Sequence, residues 1–147
     1  MTRATLRDDE TMNAAAKNIK SIESAKSVAA KVRTLDWERV SRDLDAQGSA
    51  VIEAFLSPGE CQALAGLYMK EKMFRSRVVM ERHGFGRGEY KYFNYPLPDL
   101  VAELRTAIYP HLAPIANCWN NAMGIDARYP AKLTDFIECC HRAGQVK

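Results

Sequence analysis

Apolar residues recur at helical spacing through the first third of the chain. Over residues 12–32 they fall roughly on one face and the lysines elsewhere, which predicts an amphipathic helix with few large apolar anchors. A shorter helix is predicted from Asp36 to Gly48, because a terminal glycine tolerates the positive φ of a helix cap. We therefore expect a poorly packed helical extension over residues 1–34 and a better-defined unit over residues 35–147.

The pattern changes after Gly48. Residues 49–55 predict a short strand with apolar residues at its centre. Ser57 and Glu60 then form a capping-box pattern with a proline at the first helical position, which predicts the start of another helix. The apolar residues of that helix, between positions 61 and 68, are expected to form a buried stripe.

The period becomes two near Arg75. Residues 77–81 and 89–95 predict two strands, and the three glycines between His83 and Gly88 allow the chain to reverse. The result is a β-hairpin. In its second strand Tyr90 and Tyr92 share one face, while Lys91 and Phe93 share the other.

Helical spacing returns after Pro98. Apolar residues from Val101 to Met123 predict a long helix, which Pro110 and Pro114 are expected to split or kink. A last helix is predicted over residues 130–143. The predicted fold class is α+β, with a mostly helical N-terminal region, one short strand and one hairpin.

Composition and charge exclude several classes of protein. The 21 basic and 18 acidic residues give a net charge of +3, far from that of a dedicated nucleic-acid arm. Acidic residues near the N-terminus interrupt any signal peptide, and the apolar runs are too short to span a membrane. The four cysteines lack the spacing of a disulfide framework. These features predict a cytoplasmic protein with reduced thiols.

Two segments carry a resemblance to a known family. The run Gly48 to Leu64 looks like the opening of many iron(II)/2-oxoglutarate oxygenases, including the prolyl-hydroxylase type. A longer block, from Arg77 through Tyr95-Pro96-Leu97-Pro98 to Trp119, is similar to a bacterial subfamily labelled as prolyl-hydroxylase-like or nucleic-acid-modifying. The resemblance implies that residues 35–147 are the N-terminal portion of such a domain, the incomplete start of a double-stranded β-helix (jelly roll) whose catalytic barrel is missing.

The resemblance also implies cofactors that this chain has no pattern to bind. The family holds iron through an H-x-D/E pair on one strand and a distal histidine. His83, His111 and His141 are followed at i+2 by Phe85, Ala113 and Ala143, so none fits. We therefore expect a truncated chain without iron or 2-oxoglutarate of its own, inactive alone, with the missing C-terminal portion as a candidate partner.

The hairpin offers the remaining candidate site. By resemblance and face geometry, Arg87, Tyr90 and Tyr92 are candidates to line a substrate entrance. The alternative function is a free-standing interaction or nucleic-acid-binding module that uses the hairpin. Its basic and aromatic side chains could bind phosphate and stack on bases, and they are Arg75, Arg77, Arg82, Phe85, Arg87, Tyr90, Lys91 and Tyr92. A solvated hairpin without a nucleic-acid role is the simpler interpretation, and the balanced total charge favours it.

Overall fold

The structure is a computed structural model that describes residues 27–145, so most of the predicted extension over residues 1–34 lies outside the described residues. The described chain forms five α-helices and one two-stranded antiparallel sheet. In chain order the elements are α1 (Val28–Arg33), α2 (Trp37–Gln47), α3 (Pro58–Leu67), β1 (Phe74–Val79), β2 (Glu89–Phe93), α4 (Asp99–Ala122) and α5 (Leu133–Arg142). The predicted α+β class is confirmed. No helix within residues 27–145 is long and apolar enough to cross a membrane.

Local sequence signals fix both ends of α2 and the start of α3, as predicted. The Asp36 side chain accepts a hydrogen bond from the Arg39 backbone N–H at 2.9 Å, and Gly48 ends α2 with a φ of 72°. Ser57 and Glu60 form the reciprocal capping box at the start of α3. Each cap satisfies backbone groups that the helix itself leaves unpaired.

The predicted buried stripe on α3 is wrong. Cys61, Ala65 and Tyr68 are exposed, and Leu64 is only partly covered. An apolar helix face is buried only where another element packs on it, and the hairpin contacts α3 through Tyr68 at its C-terminal end. The periodicity therefore correctly predicted a helix but not its burial.

The predicted strand over residues 49–55 is also wrong. These residues form no strand, Ala54 lies in a turn with a φ of +49°, and the side chain of Val51 is 68% exposed. The Val51 carbonyl accepts a hydrogen bond from the Arg39 guanidinium. A strand needs a neighbour for its backbone groups, and the sheet of the described residues contains β1 and β2 alone.

Pro110 and Pro114 do not split α4, which runs as one helix from Asp99 to Ala122. Each proline lacks the N–H that would bond to the carbonyl four residues earlier, and its ring crowds that carbonyl, yet the helix continues through both positions. Packing near the prolines adds support, because Ala113 is buried and the His111 ring stacks on Trp37 at 4.2 Å. The expected split is therefore wrong, while a kink at the prolines stays a prediction.

The core lies where α1 and α2 pack on the middle of α4. The buried apolar residues among those described are Val28, Val32, Val40 and Ala113. Val32 is 1% exposed, and its carbonyl accepts a hydrogen bond from the Trp37 indole. Val28 and Val32 of α1 are buried because α1 packs on α4, while the packing expected for the extension as a whole stays a prediction. The domain boundary near residue 34 stays a prediction.

Polar side chains of α4, between Tyr109 and Asn120, hold an extended segment along the helix. The Asn120 side chain donates to the Ala127 carbonyl at 2.8 Å, and the Tyr109 hydroxyl donates to the Pro130 carbonyl at 2.8 Å. Asn117 pairs with both backbone groups of Tyr129. These bonds lead the chain into α5, which begins at Leu133 rather than at the predicted residue 130.

Candidate functional site

The hairpin β1–β2 is the candidate site. The predicted hairpin is confirmed, but β1 covers Phe74–Val79 rather than residues 77–81, and β2 ends at Phe93 rather than at residue 95. The two strands are antiparallel, with Val78 opposite Tyr90 and Ser76 opposite Tyr92. Because directly opposed residues share a face, these four side chains lie on one side of the sheet, which we call the outer face. Residues 81–88, which connect the strands, are exposed.

The inner face of the hairpin is anchored to the end of α3. The Phe74 and Phe93 rings stack at 4.9 Å. Lys91 lies beside them with a side chain only 4% exposed, and its ammonium donates to the Tyr68 carbonyl at 3.1 Å and to Glu71 at 2.7 Å. The same ammonium lies 4.3 Å from the centroid of the Tyr68 ring. These contacts hold the hairpin in a defined orientation.

A second polar cluster on the inner face strengthens this anchor. Glu89 accepts hydrogen bonds from the Tyr68 hydroxyl and from the Arg77 guanidinium. These two donors, Tyr68 first, lower the pKa of Glu89, and the bond to Glu89 raises the pKa of Tyr68. Glu89 therefore stays ionised, and the Arg77 guanidinium balances its negative charge.

The outer face leaves its aromatic side chains open. Tyr90 is 44% exposed and Tyr92 47% exposed, and their rings meet edge to face at 5.5 Å. Hydrogen bonding with Tyr92 raises the pKa of the Tyr90 phenol. The structure thus brings together two of the three predicted substrate-lining residues. The third, Arg87, lies in the exposed connecting loop.

Arg75 is a further member of this face, which the sequence marked as one of the basic hairpin residues for a nucleic-acid module but not as a substrate-lining residue. Its guanidinium lies 5.5 Å from the centroid of the Tyr92 ring. Sequence alternation would place Arg75 and Ser76 on opposite faces, but the strand pairing is irregular between Phe74 and Ser76. No local sequence signal marks such a bulge.

The histidines of the chain do not fit an iron site. His83 is exposed in a short 3₁₀ turn after β1, His111 stacks on Trp37, and His141 is exposed near the end of α5. A facial triad needs two histidines and a carboxylate directed at one point. Within residues 27–145, no group of three or more histidine, cysteine, aspartate or glutamate side chains could hold a metal ion.

Comparison with known proteins relates the C-terminal part of the chain, from residue 88 onwards, to an oxygenase family. Residues 88–147 match the model of a family described as an oxygenase catalysing oxidative methylation of damaged DNA. The match supports an oxygenase relationship for the part of the chain that includes β2, α4 and α5. It covers less than half of the 147 residues.

Two curated relatives are similar to a stretch of this chain. Both are named as uncharacterized proteins and come from two strains of Mycobacterium tuberculosis. Each is 40% identical over 55 residues, which is 37% of this chain and 24% of the relative. The chain thus matches about a quarter of the length of these relatives. No solved structure matches the chain.

Proposed function

We propose that this chain is part of an iron(II)/2-oxoglutarate oxygenase that acts on DNA, and that its hairpin contributes the surface facing the substrate. The observation that carries the proposal is the match of residues 88–147 to a DNA-directed oxygenase family. The matched segment includes both exposed tyrosines of β2. Arg87, Tyr90 and Tyr92 are the proposed substrate-lining residues.

The distribution of charge supports DNA as the substrate. Residues 70–93 contain seven basic and three acidic residues, a net charge of +4, while the whole chain carries +3. Two of those basic residues, Arg77 and Lys91, are paired with glutamates on the inner face. Arg82 and Arg87, the exposed arginines of the connecting loop, remain available to bind DNA phosphates. Contacts with phosphates supply much of the affinity in protein–DNA complexes.

The proposal assigns binding and orientation, and no chemical step, to the described residues. Iron and 2-oxoglutarate would supply the oxidative chemistry, and we propose that another part of the protein, built as a double-stranded β-helix, holds them. The histidines of this chain do not fit that task. The 147 residues alone are therefore expected to turn over no 2-oxoglutarate.

The test measures DNA binding by the full chain. The fluorescence anisotropy of a labelled oligonucleotide reports the binding at a series of salt concentrations. We expect salt-sensitive binding that is weakened by the double substitution Arg82→Ala and Arg87→Ala, with a shallower salt slope. Arg42→Ala provides the matched control, because Arg42 is an exposed arginine on α2. Absence of binding at low salt, or equal effects of the control and the double substitution, would refute the proposed role of the hairpin.

A second measurement separates this function from a free-standing DNA-binding module, which the basic hairpin would also suit. The oxygenase proposal requires that a protein carrying this segment together with the iron-binding part converts 2-oxoglutarate to succinate, with DNA stimulating the reaction. DNA binding without any such turnover in the longer protein would favour the module.

A further inference from the structure

The outer face of the hairpin exposes aromatic ring surface, which phosphate binding alone does not require. Tyr90 and Tyr92 present open ring surface, and the irregular pairing near Ser76 coincides with an Arg75 guanidinium beside the Tyr92 ring. Phe74 is opposite Phe93 and Ser76 is opposite Tyr92, so Arg75 is one extra residue in β1, as in a β-bulge. The bulge therefore adds a cation to a surface that alternation would leave with two tyrosines, a serine and a valine.

The side chains of Tyr90, Tyr92 and Arg75 form a platform that the inner face of the hairpin holds in place. The Phe74–Phe93 stack and the nearly buried Lys91 fasten the inner face to the end of α3. Neither tyrosine needs to move to expose its ring, because each is close to half exposed already. A rigid, exposed aromatic surface binds a flat ligand at a low cost in conformational entropy.

We propose that the outer face binds the unpaired bases of single-stranded DNA, with a base stacked on the platform of Tyr90, Tyr92 and Arg75. The inference rests on the proposed function and narrows its substrate from DNA in general to single strands. Arg87, in the adjoining loop, contacts the backbone of the same strand.

The chemistry favours a single strand over a duplex. In a duplex the faces of the bases are covered by their stacked neighbours, so open tyrosine rings have no base face to contact. Unpaired bases offer that face, and aromatic rings and arginine planes on sheet surfaces stack on them with little regard to sequence. The local net charge of +4 over residues 70–93 complements the phosphates of the same strand.

The experiment compares three labelled probes on the full 147-residue chain by fluorescence anisotropy. They are an oligothymidine, a duplex of the same length, and an oligonucleotide of that length in which the bases are missing but the sugar–phosphate backbone is kept. We expect the oligothymidine to bind most tightly, and the abasic strand roughly 5- to 140-fold more weakly, the range given by the energy of base–aromatic stacking for one base.

Variants then locate the contact. Tyr92→Ala should weaken oligothymidine binding by a similar factor, and Tyr92→Phe should leave it nearly unchanged because the ring is retained. Arg42→Ala on α2 is the control for charge away from the hairpin. Circular dichroism checks that each variant is folded, and the abasic probe tests stacking on the unaltered protein even if Tyr92→Ala does not fold.

The outcomes distinguish this inference from the proposed function. Equal binding of all three probes, unaffected by Tyr92→Ala, would overturn the stacking platform and leave charge-driven DNA binding in place. Binding of none of them would overturn both. Tighter binding of the duplex than of the oligothymidine would overturn the single-strand inference alone.

Discussion

Lys91 is the residue for which the structure most changes the expected effect of a mutation. From its position in a basic hairpin, Lys91 looks like a solvated charge whose removal matters little. In the structure its side chain is only 4% exposed and lies on the inner face with the two stacked phenylalanines. We predict that Lys91→Met, which keeps an apolar stem but removes the ammonium, destabilises the chain substantially.

The magnitude follows from three contacts. The hydrogen bond to the Tyr68 carbonyl has a charged donor and contributes roughly 1.5–3 kcal/mol. The ammonium over the Tyr68 ring adds about 1 kcal/mol. The pair with Glu71, whose side chain is 73% exposed, adds about 0.5 kcal/mol in solvent. Because one ammonium makes all three contacts, they do not add fully, and we expect a loss of about 2–3 kcal/mol.

The assay is urea and thermal unfolding of the wild-type chain and its variants, with circular dichroism as the signal that reports unfolding. A loss of this size lowers the melting temperature by about 4–12 °C for a chain of this length. Arg87→Ala is the matched control, since Arg87 is an exposed hairpin residue whose loss should cost less than about 0.5 kcal/mol. If Lys91→Met costs no more than Arg87→Ala, then the ammonium is solvated and the proposed anchor of the hairpin does not exist.

Three further predictions test other parts of the fold. Hydrogen bonds from the Ser57 backbone and from Lys31 lower the pKa of Glu60 from 4.5 to about 2. The ionised Glu60 therefore contributes fully to the stability of the fold above about pH 4.5, and this contribution is lost as the pH falls towards 2. In acid unfolding, Glu60→Gln should lose less stability over that range than the wild type. Asn120→Leu should lower the free energy of unfolding in urea by about 1–3 kcal/mol, because it leaves the Ala127 carbonyl without its donor. An unchanged urea midpoint would contradict the role of Asn120 in holding residues 125–130 against α4. Gly48→Ala should cost about 1 kcal/mol by the same assay, since φ is 72° while no atom lies within 4 Å of an added Cβ, and a neutral result would argue against the left-handed cap.

Part of the candidate site could be predicted from residue order and part could not. Strand alternation predicted that Tyr90 and Tyr92 share a face, and both are exposed on that face. The same alternation placed Lys91 with Phe93, which was a signal that Lys91 lies against apolar side chains. The charge of Arg75 made it a candidate for a nucleic-acid module, but its place on the face of the tyrosines was not predictable, because the pairing of β1 with β2 decides where a bulge occurs.

What the sequence determined by itself is local. Caps at Asp36 and Ser57, the left-handed glycine at position 48 and the glycine-rich reversal all act within a few residues, so their hydrogen bonds and backbone angles follow from neighbouring residues. Tertiary structure decided which faces are covered. The apolar residues of α3 stay largely open and residues 49–55 form no strand, because burial and strand pairing depend on elements distant in sequence. For the same reason Lys91 became an anchor, and the outer face of the hairpin remained available to a ligand.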